Sequence, residues 1–175
     1  MSPVHLHLLL NHLPVVGTVL AILLLAYALL RRSPELTRVS LGLFVLLAFA
    51  GAVVYLTGEP AEETVEHLAG VSESVIHSHE EAALVATILL SALGFVSLGG
   101  LVAFRKRTAG IPRGFAALAL VLSLAPAAAM AYTANLGGQI RHTEIRAGAV
   151  ATGEADSEAS TRIADEHRSE PDDER

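Results

Sequence analysis

A chain of 175 residues that is 52% hydrophobic and only 17% charged is too apolar for an ordinary soluble domain of that length. Its formal charge of −6 and lack of a basic stripe argue against a nucleic-acid partner. The absence of cysteine excludes disulfides, thiolate metal sites and c-type haem attachment.

What remains is an integral membrane protein whose first partner is the lipid bilayer. A hydrocarbon core about 30 Å thick takes roughly 20 apolar residues of helix. Four stretches meet that length without an Asp, Glu, Lys or Arg: 13–30, 39–57, 82–104 and 115–136. Lipid offers exposed backbone no partner and no alternating pattern suits a barrel strand, so all four are expected to be helical. The expected fold is all-α: a four-transmembrane-helix antiparallel bundle over residues 1–146, then an acidic disordered tail over 147–175, where apolar content is too low for a core.

The first segment has no Lys or Arg before Pro14 and no Ala-x-Ala over 27–32, so it is expected to stay as a permanent helix rather than act as a secretory signal. Val4 to His12 extends it with His5, His7, Asn11 and His12. The seven-residue spacing of His5 and His12 puts them on nearly one face, with His7 pointing elsewhere. Pro14 removes a backbone hydrogen bond and marks a kink or the helix start. In the second helix Gly42 and Gly51 are the expected close-packing points.

Gly58-Glu59-Pro60 then opens a short amphipathic helix over 61–69, stopped by Gly70. Ser72 or Ser74 is positioned to cap the third membrane helix, with Glu73 in its first turn. Residues two apart on a helix are separated by about 200°, so His77 and His79 cannot share a face. His77 aligns with bulky Leu84, Ile88 and Phe95. His79 and Glu80 lie nearer Ala83, Ala86, Thr87, Ser91, Gly94 and Ser97, and small residues let membrane helices approach closely, which makes His79 the inward histidine. The fourth helix is alanine-rich with Pro126 mid-span. Towards its end Ala128, Ala131, Asn135, Gln139 and His142 form a small, then polar, stripe beside Gly137-Gly138.

Orientation follows from the loops. Arg31, Arg32 and Arg38 lie between the first two helices and Arg105, Lys106, Arg107 and Arg113 between the last two, whereas residues 58–81 carry seven acids and no Lys or Arg. Short basic loops stay cytoplasmic, so the bundle is expected in the inner (cytoplasmic) membrane, N-out and C-out, with the short helix between helices 2 and 3 outside.

All eight histidines fall on that outer side or at its helix ends. Longer, wetter outer segments account for His67 and His167, and interfacial placement for His5, His7 and His77. Glu63 with His67 and Glu73 with His77 are helical i,i+4 surface pairs. His12, His79 and His142 stand at the outer ends of three helices beside Asn11, Glu80 and Gln139, with Asn135 a turn away. Antiparallel packing brings such ends together. Two readings stand: a mutual hydrogen-bond cluster, or ligation of a b-type haem or a Cu or Zn ion by His12, His79 and His142 with Glu80.

Asn11-His12-Leu13-Pro14-Val15-Val16-Gly17, Thr57-Gly58-Glu59-Pro60, His79-Glu80-Glu81-Ala82-Ala83 and Leu136-Gly137-Gly138-Gln139-Ile140-Arg141-His142 together resemble a family of bacterial four-helix integral membrane proteins grouped as a domain of unknown function. The resemblance covers about residues 5–146. Asn11 before His12 departs from that family's His-Pro opening. The resemblance implies an architecture and recurring histidines, with no established activity. Three functions are compatible with the residues: a membrane haem or metal protein for electron transfer, a non-enzymatic accessory subunit docking other membrane subunits or a second copy, and a proton or metal-ion permease. The permease is disfavoured by the absence of a mid-membrane charge. No hydrolase, phosphate-loop or His-Glu-x-x-His pattern is present.

Overall fold

The computed structural model describes residues 3–66, 68 and 70–146; His67, His167 and the expected acidic tail over 147–175 lie outside them. The described residues form α1 (Pro3–Leu10), α2 (His12–Arg31), α3 (Pro34–Leu56), α4 (Gly58–Val65), α5 (Glu73–Ala103), α6 (Arg113–Arg141) and a closing 3-10 turn, Thr143–Ile145, with no strand among them. Four helical spans are long and apolar enough to cross a membrane. α2 and α3 pack together, α3 with α5, α5 with α6 and α6 with α2, which closes a four-helix ring. α2 thus faces α5 across the axis, and α3 faces α6.

The helices run further than their apolar cores because local chemistry, rather than hydropathy, ends them. α3 begins at Pro34 because Ser33 accepts a hydrogen bond from the Leu36 N–H at 3.3 Å, Pro34 occupies the first turn, and Glu35 follows. α2 stops at Arg32, which takes the left-handed conformation (φ 53°) while the Ser33 N–H reaches back to the Ala28 carbonyl at 3.0 Å. That is a Schellman termination with arginine where glycine is usual. α1 and α2 are continuous in direction: Asn11 keeps helical angles, and its N–H donates to the His7 carbonyl at 2.9 Å. α4 is shorter than the sequence suggests, ending at Val65, with Gly70 (φ 82°) turning the chain into α5.

Each long helix buries a narrow seam. In α2 it is Pro14, Thr18, Ala21, Leu25 and Ala28; in α5 it includes Ile76, Ala86, Leu90, Leu93, Ser97 and Gly100. Spacings alternate between three and four, the pattern of helices crossing at shallow angles. Leu25, Phe44, Leu90 and Ala119 are wholly inaccessible in the core, whereas Phe49 and Phe95 on the outer girth are 73% and 75% exposed. An apolar girth of that kind suits lipid rather than water. Thr18, Ser40 and Ser123 return their hydroxyls to carbonyls of their own helices at 2.6–2.8 Å. Ser97 Oγ is buried with no partner among the described residues.

Glycines set the interhelical distances at defined points. A Cβ on Gly94 would lie 2.5 Å from that of Ala48 and 3.4 Å from the Phe44 carbonyl oxygen, so α5 touches α3 backbone there. Gly51 takes Leu90 at 3.1 Å, and Gly100 receives the Phe115 ring, which meets Phe104 edge-on at 5.6 Å. Gly42, expected to be a close-packing point, has nothing within 4 Å of its Cβ position; it lies off the seam.

Gly94→Ala should therefore lower the melting temperature in detergent, at an overpacking cost of about 1–3 kcal/mol, while Gly42→Ala leaves it unchanged or slightly raised. Ser97→Ala removes an unsatisfied buried hydroxyl and should raise the melting temperature, the reverse of the usual trend for core substitutions.

Candidate functional site

All four spans are longer than a bilayer core requires, and their more polar turns gather at one end of the bundle. At about 1.5 Å per residue, the 31 residues of α5 exceed what a membrane requires, and the surplus lies at its N-terminal turns, which carry His77 and His79. α1 extends α2 beyond Pro14, α4 follows α3, and the last turns of α6 reach the same end. α1 packs against α4 there.

Two histidines turn into this end. The seam of α2 continues backwards at alternating spacing through Asn11 to His7, and the seam of α5 continues through Ala83 to His79. His7 Nδ1 lies 3.2 Å from the Val54 carbonyl oxygen and 3.4 Å from Thr57 Oγ1, at the end of α3. His79 Nδ1 lies 2.9 Å from the Thr133 carbonyl oxygen on α6. A carbonyl only accepts, so each Nδ1 is the N–H, and each neutral ring keeps its lone pair on Nε2. Gly137 makes the second contact possible: its Cβ position is 3.0 Å from His79 Cε1, so a side chain there would displace the ring. His7 is on α1, which continues α2, and His79 is on α5, so the two imidazoles come from diagonal helices. Asn11, one turn further in on the same face as His7, holds a buried Oδ1 with no partner among the described residues.

Carboxylates crowd this end of the bundle, in α4 and the first turns of α5. Glu62 of α4 is within electrostatic reach of Glu80, Glu66, Glu59 and His77. Arg146 ties this end together: its guanidinium donates to the carbonyls of Gln139 (2.8 Å) and Ile140 (3.1 Å), which end α6, and to that of Gly70 (2.8 Å) in the α4–α5 loop.

The expected trio of His12, His79 and His142 is not assembled, and no group of three or more His, Asp or Glu poised to hold a metal occurs among the described residues. His12 follows Asn11 by one position, about 100° round the helix, and is exposed on the outside. His142 lies past the end of α6, where its Nδ1 meets Glu144 Oε1 at 2.8 Å with both side chains largely exposed. The Glu144 carboxyl is held below its ordinary range, first by its own backbone N–H and then by His142. Glu80 is exposed at the rim. Asn135 is exposed on the outer face of α6, where its Oδ1 accepts from Gln139 Nε2 at 2.7 Å. His77 is exposed and meets Glu81 at 3.3 Å rather than pairing back to Glu73.

His7 is the site residue that helical spacing from a neighbouring histidine misses. Its signal is present nonetheless in the run His7, Asn11, Pro14, Thr18, Ala21, Leu25, Ala28, a seam at alternating steps of four and three.

No family model, no curated protein and no solved structure matches the chain. Replacing His79 by Ala removes a buried contact to α6 and should cost about 1–3 kcal/mol of stability in detergent. His77→Ala, on the exposed face, should shift the melting temperature by less than the measurement error.

Proposed function

We propose that the protein is a multi-pass membrane protein whose histidine end binds a transition-metal ion for electron transfer, with His7 and His79 as its nitrogen ligands. The observation that carries this reading is the pair of Nδ1 anchors. Metal-ligating histidines characteristically donate their second ring N–H to a carbonyl or carboxylate, which fixes the tautomer and aims the other nitrogen. Here both rings are so fixed from diagonal helices, an unpartnered amide oxygen sits one turn from His7, and acids crowd the same end of the bundle.

The donor set selects among metals. Zinc in structural sites takes four protein ligands, more than two imidazoles and Asn11 Oδ1 provide. Copper accepts imidazole readily and fits the smaller set. A b-type haem is the second reading, since it asks the protein for only two imidazoles and porphyrin supplies the remaining iron ligands. His12 and His142 have no part in either version. The resemblance to uncharacterised four-helix membrane proteins is consistent with both.

The test is elemental analysis and absorption of the detergent-purified protein before and after dithionite reduction. Stoichiometric copper without a Soret band is the expected outcome, lost in His7→Ala and His79→Ala and kept in His12→Ala and His142→Ala. A Soret band with the same mutational pattern replaces copper by haem. Absence of both metal and colour overturns the reading in favour of an accessory subunit, recognised by a partner that co-purifies in mild detergent.

The same proposal places the histidine end outside the cytoplasm and the arginine end within it, because seven basic residues, Arg31, Arg32, Arg38, Arg105, Lys106, Arg107 and Arg113, crowd the latter. The chain has no cysteine of its own, so single replacements report cleanly. Glu63→Cys should react with a membrane-impermeant maleimide in intact cells, and Lys106→Cys only after permeabilisation.

A further inference from the structure

At the opposite end of the bundle an open groove runs between α2 and α6, lined by Ala26, Leu29, Leu30, Arg32, Arg113 and Leu120. We infer that this groove binds one anionic phospholipid, its phosphate between the Arg32 and Arg113 guanidinium groups and an acyl chain along Leu29, Leu30 and Leu120.

The two arginines are positioned by backbone geometry rather than by chance exposure. Arg32 occupies the left-handed residue that ends α2, so its side chain leaves the helix at the rim. Arg113 opens α6, and its Nη2 makes one long bond, 3.4 Å, to the Leu29 carbonyl, which holds the guanidinium over the groove with most of its donors unused. Neither arginine has a carboxylate partner among the described residues. Glu35, the single acid among the seven basic residues of this end, is engaged with the Ser33 hydroxyl at 3.2 Å. Unpaired guanidinium groups beside each other form a fork that matches phosphate oxygens.

The floor decides between a lipid and a soluble phosphate. Leu30 is 81% exposed beside the groove, whose arginines stand at the end of the apolar span, where headgroups would meet acyl chains. A free phosphate gains nothing from a leucine floor. A phospholipid in the adjacent leaflet reaches both parts at once, and basic pockets between membrane helices recognise anionic headgroups in this way.

Native mass spectrometry of the full chain released from mild detergent tests this, with dioleoyl phosphatidylglycerol and dioleoyl phosphatidylcholine offered at equal concentration. The expected result is a single retained phosphatidylglycerol, preferred over phosphatidylcholine by on the order of tenfold. Arg32→Gln with Arg113→Gln should abolish the preference, while Arg32→Lys with Arg113→Lys keeps most of it and shows that the fold is intact. Arg105→Gln with Lys106→Gln removes the same charge outside the groove and should leave the preference unchanged. Equal retention of the two lipids, equal loss in the Arg105/Lys106 control, or displacement of the lipid by millimolar inorganic phosphate would each overturn the assignment.

Discussion

The contact between Gly94 and α3 is the constraint on which the bundle's geometry depends. Lipid is as apolar as leucine, so burying leucine between membrane helices gains little; association rests on close packing. Because Gly94 has no side chain, the α5 backbone comes against Ala48 and the Phe44 carbonyl. Leu90 settles against Gly51 one turn away on the same interface, and Phe115 closes the other end against Gly100. Contacts this short fix the rotation of α5 about its own axis as well as its distance from α3. A helix so locked must present the rest of its seam inward.

The candidate site follows from that rotation. His79 lies on the same seam as Leu90 and Ser97, so it is carried to the axis, where Gly137 leaves room and the Thr133 carbonyl receives its Nδ1–H. His7 arrives by an independent route. Asn11 keeps helical geometry across the junction of α1 and α2, so the register established by Thr18 and Leu25 passes to His7 without a break. The packing of α1 on α4 and the Arg146 bonds from Gly70 to the end of α6 then hold this end of the bundle together. The two ends differ in kind: one gathers imidazoles and most of the carboxylates, the other carries seven basic residues and a single acid, Glu35.

The spans themselves were legible from apolar length, and the choice of His79 over His77 was legible from small residues, because both depend on properties repeated over many turns. Helix ends were not legible in the same way. Apolar length measures the bilayer, whereas α3 starts where Ser33, Pro34 and Glu35 cap it and α5 runs out to Glu73. Reading histidines by their distance from one another paired His5 with His12, which do share a face, but the outer one. Reading them against the buried seam would have selected His7. His142 continues the stripe of Ala128, Ala131 and Asn135, which is the outward face of α6, and it lies past the helix end, where the imidazole meets Glu144.

By itself the sequence determined the helical class, the four spans, and the placing of the histidines at one end and of the two basic loops at the other, since composition and the backbone's need for hydrogen bonds in lipid fix the spans and the loops that join them. Only the tertiary structure decided which histidines meet. A helix face is a property of one segment, but inward is defined by its neighbours, and the neighbours' distances are set by glycine contacts such as Gly94 on Ala48 and Gly137 beneath His79.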